Sequence, residues 1–360
     1  MKSIYKITLI LLLFPLIAFA NNDKKKHEKS KVIKKEFSVN SDARVSLDNR
    51  YGNLKITTWD KNRVEIEVTI TVKGNDLDAV EDKLSSIHID FNARKSLVEA
   101  KTILGDKKSN WSWWKKSKNI NYKINYVVKM PKTNSVDLDN DYGNIYLNTL
   151  SGKADINCDY GKIEIGELLA NNNDINLDYC STSTINYMKS GDVNIDYSKL
   201  NIDNSENLRV NADYSTIKLD KASIVDLNID YGSVSVNDAN DVSVNSDYAS
   251  MRFGTIRKNL NIDTEYGSVN VKNLAKGFES VVISGQYAGI RIGVESGTIF
   301  DFVIDLQYAG FKKDDDNMEF FKSISKSSKK YYEGKYGKGK TNSRLKIKSE
   351  YGGVSITENN

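Results

Sequence analysis

Asparagine and aspartate residues recur at fixed positions relative to a repeated tyrosine and are the strongest candidates for chemistry in this chain. In six consecutive repeats the asparagine lies three residues before a tyrosine, and the aspartate lies directly before it. On one face they would form a column of amides beside a column of carboxylates, which could bind cations or a basic partner. The members of this candidate binding face are Asn157, Asp159, Asn176, Asp178, Asn194, Asp196, Asn211, Asp213, Asn228, Asp230, Asn245 and Asp247.

The same two columns also have a structural explanation. Carboxylates stacked about 4.8 Å apart repel each other by roughly 1 kcal/mol per neighbour in water. Asparagine ladders can hydrogen-bond along the stack, and each aspartate could accept a hydrogen bond from the backbone. Both explanations stay open. No metal site is predicted, because the glycine-rich nonapeptide of calcium-binding β-rolls is absent.

A second candidate is the aromatic cluster of Trp111, Trp113 and Trp114, which is followed by Lys115 and Lys116. Exposed indoles beside cations could stack on sugars, whereas a buried cluster would close the end of a hydrophobic core. The sequence leaves both hypotheses open.

Residues for catalysis are lacking. The only histidines, His27 and His88, are far apart in sequence and predict neither a triad nor a metal site. Cys158 is expected to be a packed thiol, and Cys180 falls in a different column, beyond disulfide reach. No phosphate loop or nucleophile elbow occurs. We therefore predict no catalytic residues, no cofactor and no enzymatic activity.

The elements that position these residues come from an internal repeat marked by tyrosine. Ten tyrosines follow one another at spacings of 17 to 21 residues, and two further copies stand apart at either end. Most are preceded by Asp, Glu or Gln and followed by a small residue. The twelve are Tyr51, Tyr142, Tyr160, Tyr179, Tyr197, Tyr214, Tyr231, Tyr248, Tyr266, Tyr287, Tyr308 and Tyr351.

Alternation around each tyrosine predicts two short strands joined by a bend. Leu227, Ile229 and Tyr231 share one parity, so all three are expected to point inward. The parity changes after Gly232, which is expected to supply a positive φ or a close backbone approach. Stacked copies would bury a continuous core. We predict an all-β, single-stranded β-helix, a right-handed β-solenoid with rungs of about 17–21 residues, with an antiparallel sandwich as the alternative.

The domain prediction places the β-solenoid over residues 37–357. Residues 60–135 form a strand-rich excursion or N-terminal cap, with a short helix over Leu77–Ser86. A continuous repeat array follows over 136–311, then a flexible charged loop over 312–342, and a terminal rung over 343–357 closes the domain.

The N-terminus predicts export. Residues 1–20 have the basic start, apolar run and small-x-small ending of a signal peptide, and residues 21–36 form a basic linker. No transmembrane segment is expected after signal cleavage. The predicted location is the periplasm, the outer membrane or the cell surface.

Several segments resemble a known family. They are Asn49–Ile56 (NRYGNLKI), Trp59–Asp60, Lys129–Pro131 and Asp141–Ile145. These motifs are similar to those of the secreted bacterial β-strand-repeat proteins labelled "putative adhesins", which are related to auto-transporter adhesin head (GIN) domains. The resemblance covers roughly residues 37–357. It implies a β-helix in the cell envelope and supplies no catalytic residues.

Three functions fit these features. The first is a non-enzymatic, adhesin-like binding or structural solenoid of the cell envelope, whose partner would be an envelope polysaccharide or another envelope protein. The second is a carbohydrate-active lyase, although Arg252 and Arg291 look isolated rather than clustered with Asp. The third is an accessory protein in envelope stress sensing. Nucleic-acid binding is not expected, because the basic residues avoid the repeat face.

Overall fold

The computed structural model describes residues 25–105, 119–313 and 316–359. Within these ranges the chain is all-β with one helix, and no helix there is long and apolar enough to cross a membrane. The chain forms two compact units, of which unit 1 ends at Ala170 and unit 2 begins at Asn171. The predicted signal peptide, residues 1–20, lies outside the described residues.

Unit 1 contains eleven strands and the helix within its described residues. They are β1 (His27–Ser38), β2 (Arg44–Arg50), β3 (Leu54–Trp59), β4 (Arg63–Gly74), α1 (Leu77–Ser86), β5 (Ile87–Arg94), β6 (Leu97–Leu104), β7 (Asn121–Pro131), β8 (Ser135–Asp141), β9 (Asn144–Leu150), β10 (Ala154–Asp159) and β11 (Lys162–Leu168).

The repeats of unit 1 pair in parallel, with two strands per repeat. Strand β2 pairs with β8, and β8 pairs with β10. On the other side of the tyrosine bend, β3 pairs with β9, and β9 pairs with β11. These parallel registers are not those of an antiparallel sandwich, since a sandwich alternates strand direction between neighbours.

The predicted excursion covers the open edge of the first repeat. Strands β6 and β7 pair in parallel with β2 and β3, and β5, β4 and β1 then add antiparallel strands. The predicted helix is confirmed as α1, Leu77–Ser86. Asp76 caps it by accepting a hydrogen bond from the Ala79 amide at 3.0 Å.

The predicted basic linker over 21–36 is wrong from His27 onward, because these residues belong to strand β1. Ile33 is buried against the sheet, and the charged side chains pair with those of β4, as Lys34 does with Glu67 at 2.8 Å. Lysines suit this position, since charged residues on an outer strand discourage edge-to-edge association.

Unit 2 contains thirteen strands within its described residues. They are β12 (Asn173–Asp178), β13 (Thr182–Asp196), β14 (Lys199–Asp213), β15 (Thr216–Thr264), β16 (Gly267–Leu274), β17 (Ser280–Gln286), β18 (Ala288–Glu295), β19 (Phe300–Gln307), β20 (Phe311–Lys312), β21 (Met318–Lys326), β22 (Lys329–Tyr336), β23 (Arg344–Glu350) and β24 (Val354–Asn359).

Unit 2 contains a parallel ladder of the same kind. Strands β12, β13, β14 and β15 pair in sequence, so that equivalent residues of successive repeats lie side by side. The long strand β15 bends at Tyr231 and Tyr248, which both have a positive φ. The inward Val, Ile and Leu positions are buried as predicted, with Leu227 and Ile229 at most 2% exposed.

The last repeats of unit 2 are not stacked in chain order. Strand β23 lies between β17 and β19, and β24 lies between β18 and β20. Two predictions are therefore wrong: the array over 136–311 is not continuous, and the segment 343–357 is not the terminal rung. Alternation specifies which residues face the core, but it does not specify which strand is the neighbour.

The predicted flexible loop over 312–342 is also wrong. Its residues include β21 and β22, which form an antiparallel hairpin, and β22 pairs antiparallel with β19. Aromatic packing explains why this segment is ordered, because Tyr336 is buried and its ring stacks on that of Phe300 at a centroid distance of 4.8 Å. The hairpin covers the outer edge of β19, which would otherwise be unpaired.

Candidate functional site

Each repeat bends at the tyrosine itself. Eleven of the twelve repeat tyrosines have a φ between 47° and 61°, and at Tyr266 the positive φ falls on Gly267 instead. A left-handed conformation costs a non-glycine residue roughly 1–2 kcal/mol. It also breaks the alternation, so Tyr231 turns away from Leu227 and Ile229. The prediction that the tyrosines point into the core is therefore wrong.

Of the two roles predicted for the small residue after the tyrosine, the structure shows the close backbone approach. Glycines at this position mostly have ordinary φ values, but their backbones lie against the preceding repeat. A Cβ on Gly161 would lie 1.9 Å from the carbonyl oxygen of Gly143. Where serine replaces glycine, its hydroxyl bonds locally, as Ser198 Oγ does to Asp196 O at 2.7 Å. Close approach, rather than positive φ, explains this small residue.

The tyrosines form exposed stacks on the surface. In unit 1, Tyr142 stacks between Tyr51 and Tyr160 at 5.1 and 5.0 Å. In unit 2 nine rings stack at 4.6–5.0 Å with interplanar angles of 1–8°. We call these nine the tyrosine ladder: Tyr179, Tyr197, Tyr214, Tyr231, Tyr248, Tyr266, Tyr287, Tyr351 and Tyr308.

Each inner ring of the tyrosine ladder has both faces covered by neighbouring rings, so mainly its edges and hydroxyl reach solvent. Each ring nevertheless remains 36–57% exposed. Aromatic pairs of this kind contribute about 0.5–1.5 kcal/mol each beyond their buried area. This gain is of the size needed to offset the cost of the left-handed tyrosines.

The predicted asparagine ladder is present in unit 2. Asn194 donates to Asn176 at 2.8 Å, Asn211 donates to Asn194 at 2.8 Å, and Asn228 donates to Asn211 at 3.0 Å. The side-chain amides along this column therefore satisfy one another. Asn245 continues the column on β15, and Asn157 occupies the equivalent position on β10 of unit 1.

The aspartate column has no such compensation at its centre. Asp178, Asp196, Asp213 and Asp230 are in register on adjacent strands. Partial burial raises the pKa of Asp213, and the neighbouring carboxylates of Asp196 and Asp230 raise it further. Within the described ranges no side chain or backbone amide donates to this carboxylate. Asp247 continues the column on β15, and Asp159 takes the equivalent place on β10.

The other candidate residues do not gather into a site. Trp111, Trp113 and Trp114 lie outside the described residues. Cys158 and Cys180 are both buried, which confirms the prediction that Cys158 is packed in the core. Among the residues that the structure describes, no group of His, Cys, Asp and Glu has the geometry to hold a metal ion.

The described residues of unit 1 include depressions that are open to solvent. One of about 320 Å³ is lined by Arg44, Glu99 and Asp137 among others, and Arg44 pairs there with Asp137. Another, of about 390 Å³, lies around Tyr51 and Tyr122. Neither of these contains a member of the Asn/Asp face.

Comparisons with known proteins give weak similarities. No protein-family model matches the chain, and no curated protein matches it. Among solved structures, it is similar to a putative cell adhesion protein from Clostridium sporogenes, at 12% identity over 92% of this chain and 100% of that one, with a TM-score of 0.19.

Two further structures come from Parabacteroides. A putative adhesin from Parabacteroides merdae has 14% identity over 76% of this chain and 93% of that one, with a TM-score of 0.32. A putative lipid binding protein from Parabacteroides distasonis has 11% identity over 91% and 97%, with a TM-score of 0.28. Similarity at this level transfers no function. The family resemblance and the relation to GIN domains therefore both stay predictions.

Proposed function

We propose that this chain is an exported, single-stranded β-helix of the cell envelope that acts without catalysis, as an adhesin-like binding or structural protein. The observation that carries the proposal is the repeated surface. Equivalent side chains recur on successive parallel strands, for example at Asp196, Asp213 and Asp230. A surface of this kind suits a partner that is itself repetitive and is bound through many weak contacts.

The carboxylate column is the part of the Asn/Asp face best suited to binding. The amides of Asn194 and Asn211 are occupied by hydrogen bonds within the column. The carboxylate of Asp213, by contrast, lies between two like charges. A cation or a basic group would relieve this repulsion, because each carboxylate gains a partner of opposite sign.

The first experiment separates binding from catalysis. Purified mature protein would be applied to a glycan array and, in parallel, to a polysaccharide depolymerisation screen. We expect retention on a subset of glycans or on envelope preparations, without any shortening of the chains. Turnover of any polysaccharide would overturn the non-enzymatic function and favour the lyase alternative.

The second experiment tests the carboxylate column by replacing Asp196, Asp213 and Asp230 together by Asn. The matched control replaces three carboxylates that already have partners, Asp192, Asp226 and Asp241, and so removes the same charge. If the column binds, only the first variant loses binding to cells, divalent cations or basic peptides. Unchanged binding together with higher stability would make the column purely structural.

A further inference from the structure

A row of small residues runs beside the tyrosine ladder, on the strands that follow each bend. Strand pairing places its members side by side across unit 2, and a hydrogen bond links Ser233 to Thr216. We call it the small-residue row: Thr216, Ser233, Ser250, Ser268, Gly289, Gly353 and Gly310. On the two preceding strands Thr182 and Lys199 occupy the same position.

Packing does not explain the glycines of the small-residue row. None of the three has a positive φ. A Cβ on Gly289 or Gly310 would meet no atom within 4 Å, and one on Gly353 would only reach Gly310 O at 4.0 Å. At Gly161, by contrast, the backbone of the preceding repeat fills this space. The end of the row near Gly310 is therefore flat and open without a structural need.

A row of cations lies two residues further along the same strands. Register places Lys218, Ser235, Arg252, Asn270, Arg291, Ser355 and Lys312 on successive strands. A basic residue thus occupies every second strand, and Ser or Asn lies between. We call the four basic residues the cation row: Lys218, Arg252, Arg291 and Lys312.

Arg252 and Arg291 are far apart in the sequence, but strand pairing places them in the same row, with Asn270 between them. Lys312 joins them because the strand that bears Ser355 is inserted between those that bear Arg291 and Lys312. All four side chains of the cation row are exposed, and none of them forms an ion pair with another described residue. Alternate strands place consecutive cations about 10 Å apart.

A further row of side chains lies two residues beyond the cation row on the same strands, and its charge differs from one end to the other. Near Lys218 it contains Asp203 and Asp220, and Asp220 accepts a hydrogen bond from Asn237 at 2.9 Å. Toward the other end it contains Lys272. From Arg252 to Ser355 the described members of this further row include no carboxylate, and there the small-residue row consists of serine and glycine.

We infer that unit 2 binds an acidic polysaccharide with an anionic group on every second sugar, held along the small-residue row between the tyrosine ladder and the cation row. This inference rests on the proposed function and names its ligand class. Two sugars of an extended, β-linked chain span about the same length as two strand spacings, roughly 10 Å. Each carboxylate or sulfate would then meet one cation of the row.

The two sides of the small-residue row fit the rest of such a chain. Uncharged sugars would lie opposite Ser235, Asn270 and Ser355, which can donate and accept hydrogen bonds. The tyrosine hydroxyls offer the same capacity from the other side. Because the ring faces are covered by their neighbours, sugars would contact ring edges and hydroxyls rather than stack face-on.

Charge spacing distinguishes this ligand from nucleic acid. Phosphates lie about 3.4 Å apart along a DNA strand, so most of them would have no partner in a row of cations about 10 Å apart. A polysaccharide that is charged on every sugar would likewise leave half of its anions unpaired. The favoured chain is therefore one of alternating charged and uncharged sugars.

Binding would be measured by calorimetry with the mature protein and four probes. They are hyaluronan, in which uronate alternates with an uncharged sugar, its carboxyl-reduced form, polygalacturonate and single-stranded DNA. We expect hyaluronan to bind at least tenfold more tightly per charge than polygalacturonate or DNA, and the reduced polymer to bind at least tenfold more weakly than hyaluronan. Equal affinity for DNA or polygalacturonate would overturn the inference.

Matched variants test the site. Arg252→Gln with Arg291→Gln should weaken hyaluronan binding at least tenfold. The control, Arg209→Gln with Arg257→Gln, removes the same charge from arginines that are paired with aspartates elsewhere, and should change binding less than twofold. Gly289→Phe should block the small-residue row without changing charge, and Gly310→Leu serves if that variant fails to fold.

The outcomes separate this inference from the proposed function. If the protein retains neutral glycans or cells but not hyaluronan, or if the double variant binds normally, the inference fails while the proposed function stands. If the protein shortens hyaluronan, the non-enzymatic function fails, whatever the variants show. Tenfold losses confined to the Arg252, Arg291 and Gly289 variants support the inference.

Discussion

Asp213→Asn should stabilise the protein, although it removes a charged surface side chain. The carboxylate lies in register with those of Asp196 and Asp230, and no described group donates a hydrogen bond to it. At about 4.8 Å in water each like-charged neighbour costs about 1 kcal/mol. The two neighbours together cost about 2 kcal/mol at low salt. With a Debye length of about 8 Å, roughly 1 kcal/mol remains at physiological ionic strength.

The assay is urea unfolding of the wild type and the variant at low and at physiological salt. The matched control is Asp226→Asn, whose carboxylate lies 3.8 Å from the Arg209 guanidinium. That variant should lose up to about 0.5 kcal/mol or remain unchanged, because an exposed ion pair contributes little. Opposite signs for the two variants would identify like-charge repulsion as the cause.

The pH dependence provides a second check. The pKa of Asp213 is raised in the folded protein, so the native state binds this proton more tightly than the unfolded chain does. The stability of the wild type should therefore fall as the pH rises from the ordinary aspartate pKa through the raised value. Below that window the carboxyl is protonated in both states, and the advantage of Asp213→Asn should vanish.

Two results would refute this reasoning. One is destabilisation by Asp213→Asn at low salt, since the charge would then be favourable where it lies. The other is a stability gain that does not shrink as salt is added, because screening must reduce any effect of like charges. Destabilisation that appears only with divalent cations present would instead indicate that a bound cation bridges the column.

Three further predictions concern the repeat. Asn211→Ala interrupts the asparagine ladder and should cost about 1 kcal/mol in urea unfolding; no loss would mean that water replaces the amide fully. Gly161→Ala should lower the free energy of unfolding by about 1–3 kcal/mol, measured by calorimetry. Gly289→Ala should change it by no more than about 0.5 kcal/mol. Equal effects of the two substitutions would contradict the close-approach argument. Partial burial and neighbouring rings raise the pKa of Tyr197 and Tyr248. The phenolate absorbance lost in the Tyr197→Phe and Tyr248→Phe variants should therefore appear above the ordinary tyrosine pKa, and stability should fall as the pH rises beyond that pKa; ionisation of these two phenols at the ordinary pKa would contradict this.

Alternation and local signals predict much of this fold. The inward parity of Leu227 and Ile229 is correct because a strand alternates strictly. The helix over Leu77–Ser86 is correct because its cap and its apolar side are both encoded locally. The asparagine ladder follows from the fixed position of the asparagine three residues before each tyrosine, which brings identical amides into register.

The failures arise where structure depends on dihedral angles or on distant neighbours. Alternation assigns Tyr231 to the core, because the tyrosine has the same parity as Leu227 and Ile229. In the structure its left-handed φ turns the side chain toward solvent. The lysine-rich composition predicts a linker over 21–36. The segment nevertheless forms a strand from His27, because lysines on an outer strand can keep their charged ends in water while Ile33 is buried. The alignment of Lys312 with Arg291 cannot be seen in sequence, since it depends on a strand inserted between them.

The insertion of β23 and β24 also constrains how unit 2 is assembled. Strands β17 and β19 are synthesised first, yet they are not neighbours, and the layer between them comes from later residues. Layers cannot simply be added in the order of synthesis at this end. Until residues near Leu345 and Ile356 arrive, β17 and β18 present unpaired backbone groups that could join another chain. Correct closure therefore depends on the last part of the chain, and nascent or shortened chains should be those most prone to misassociate.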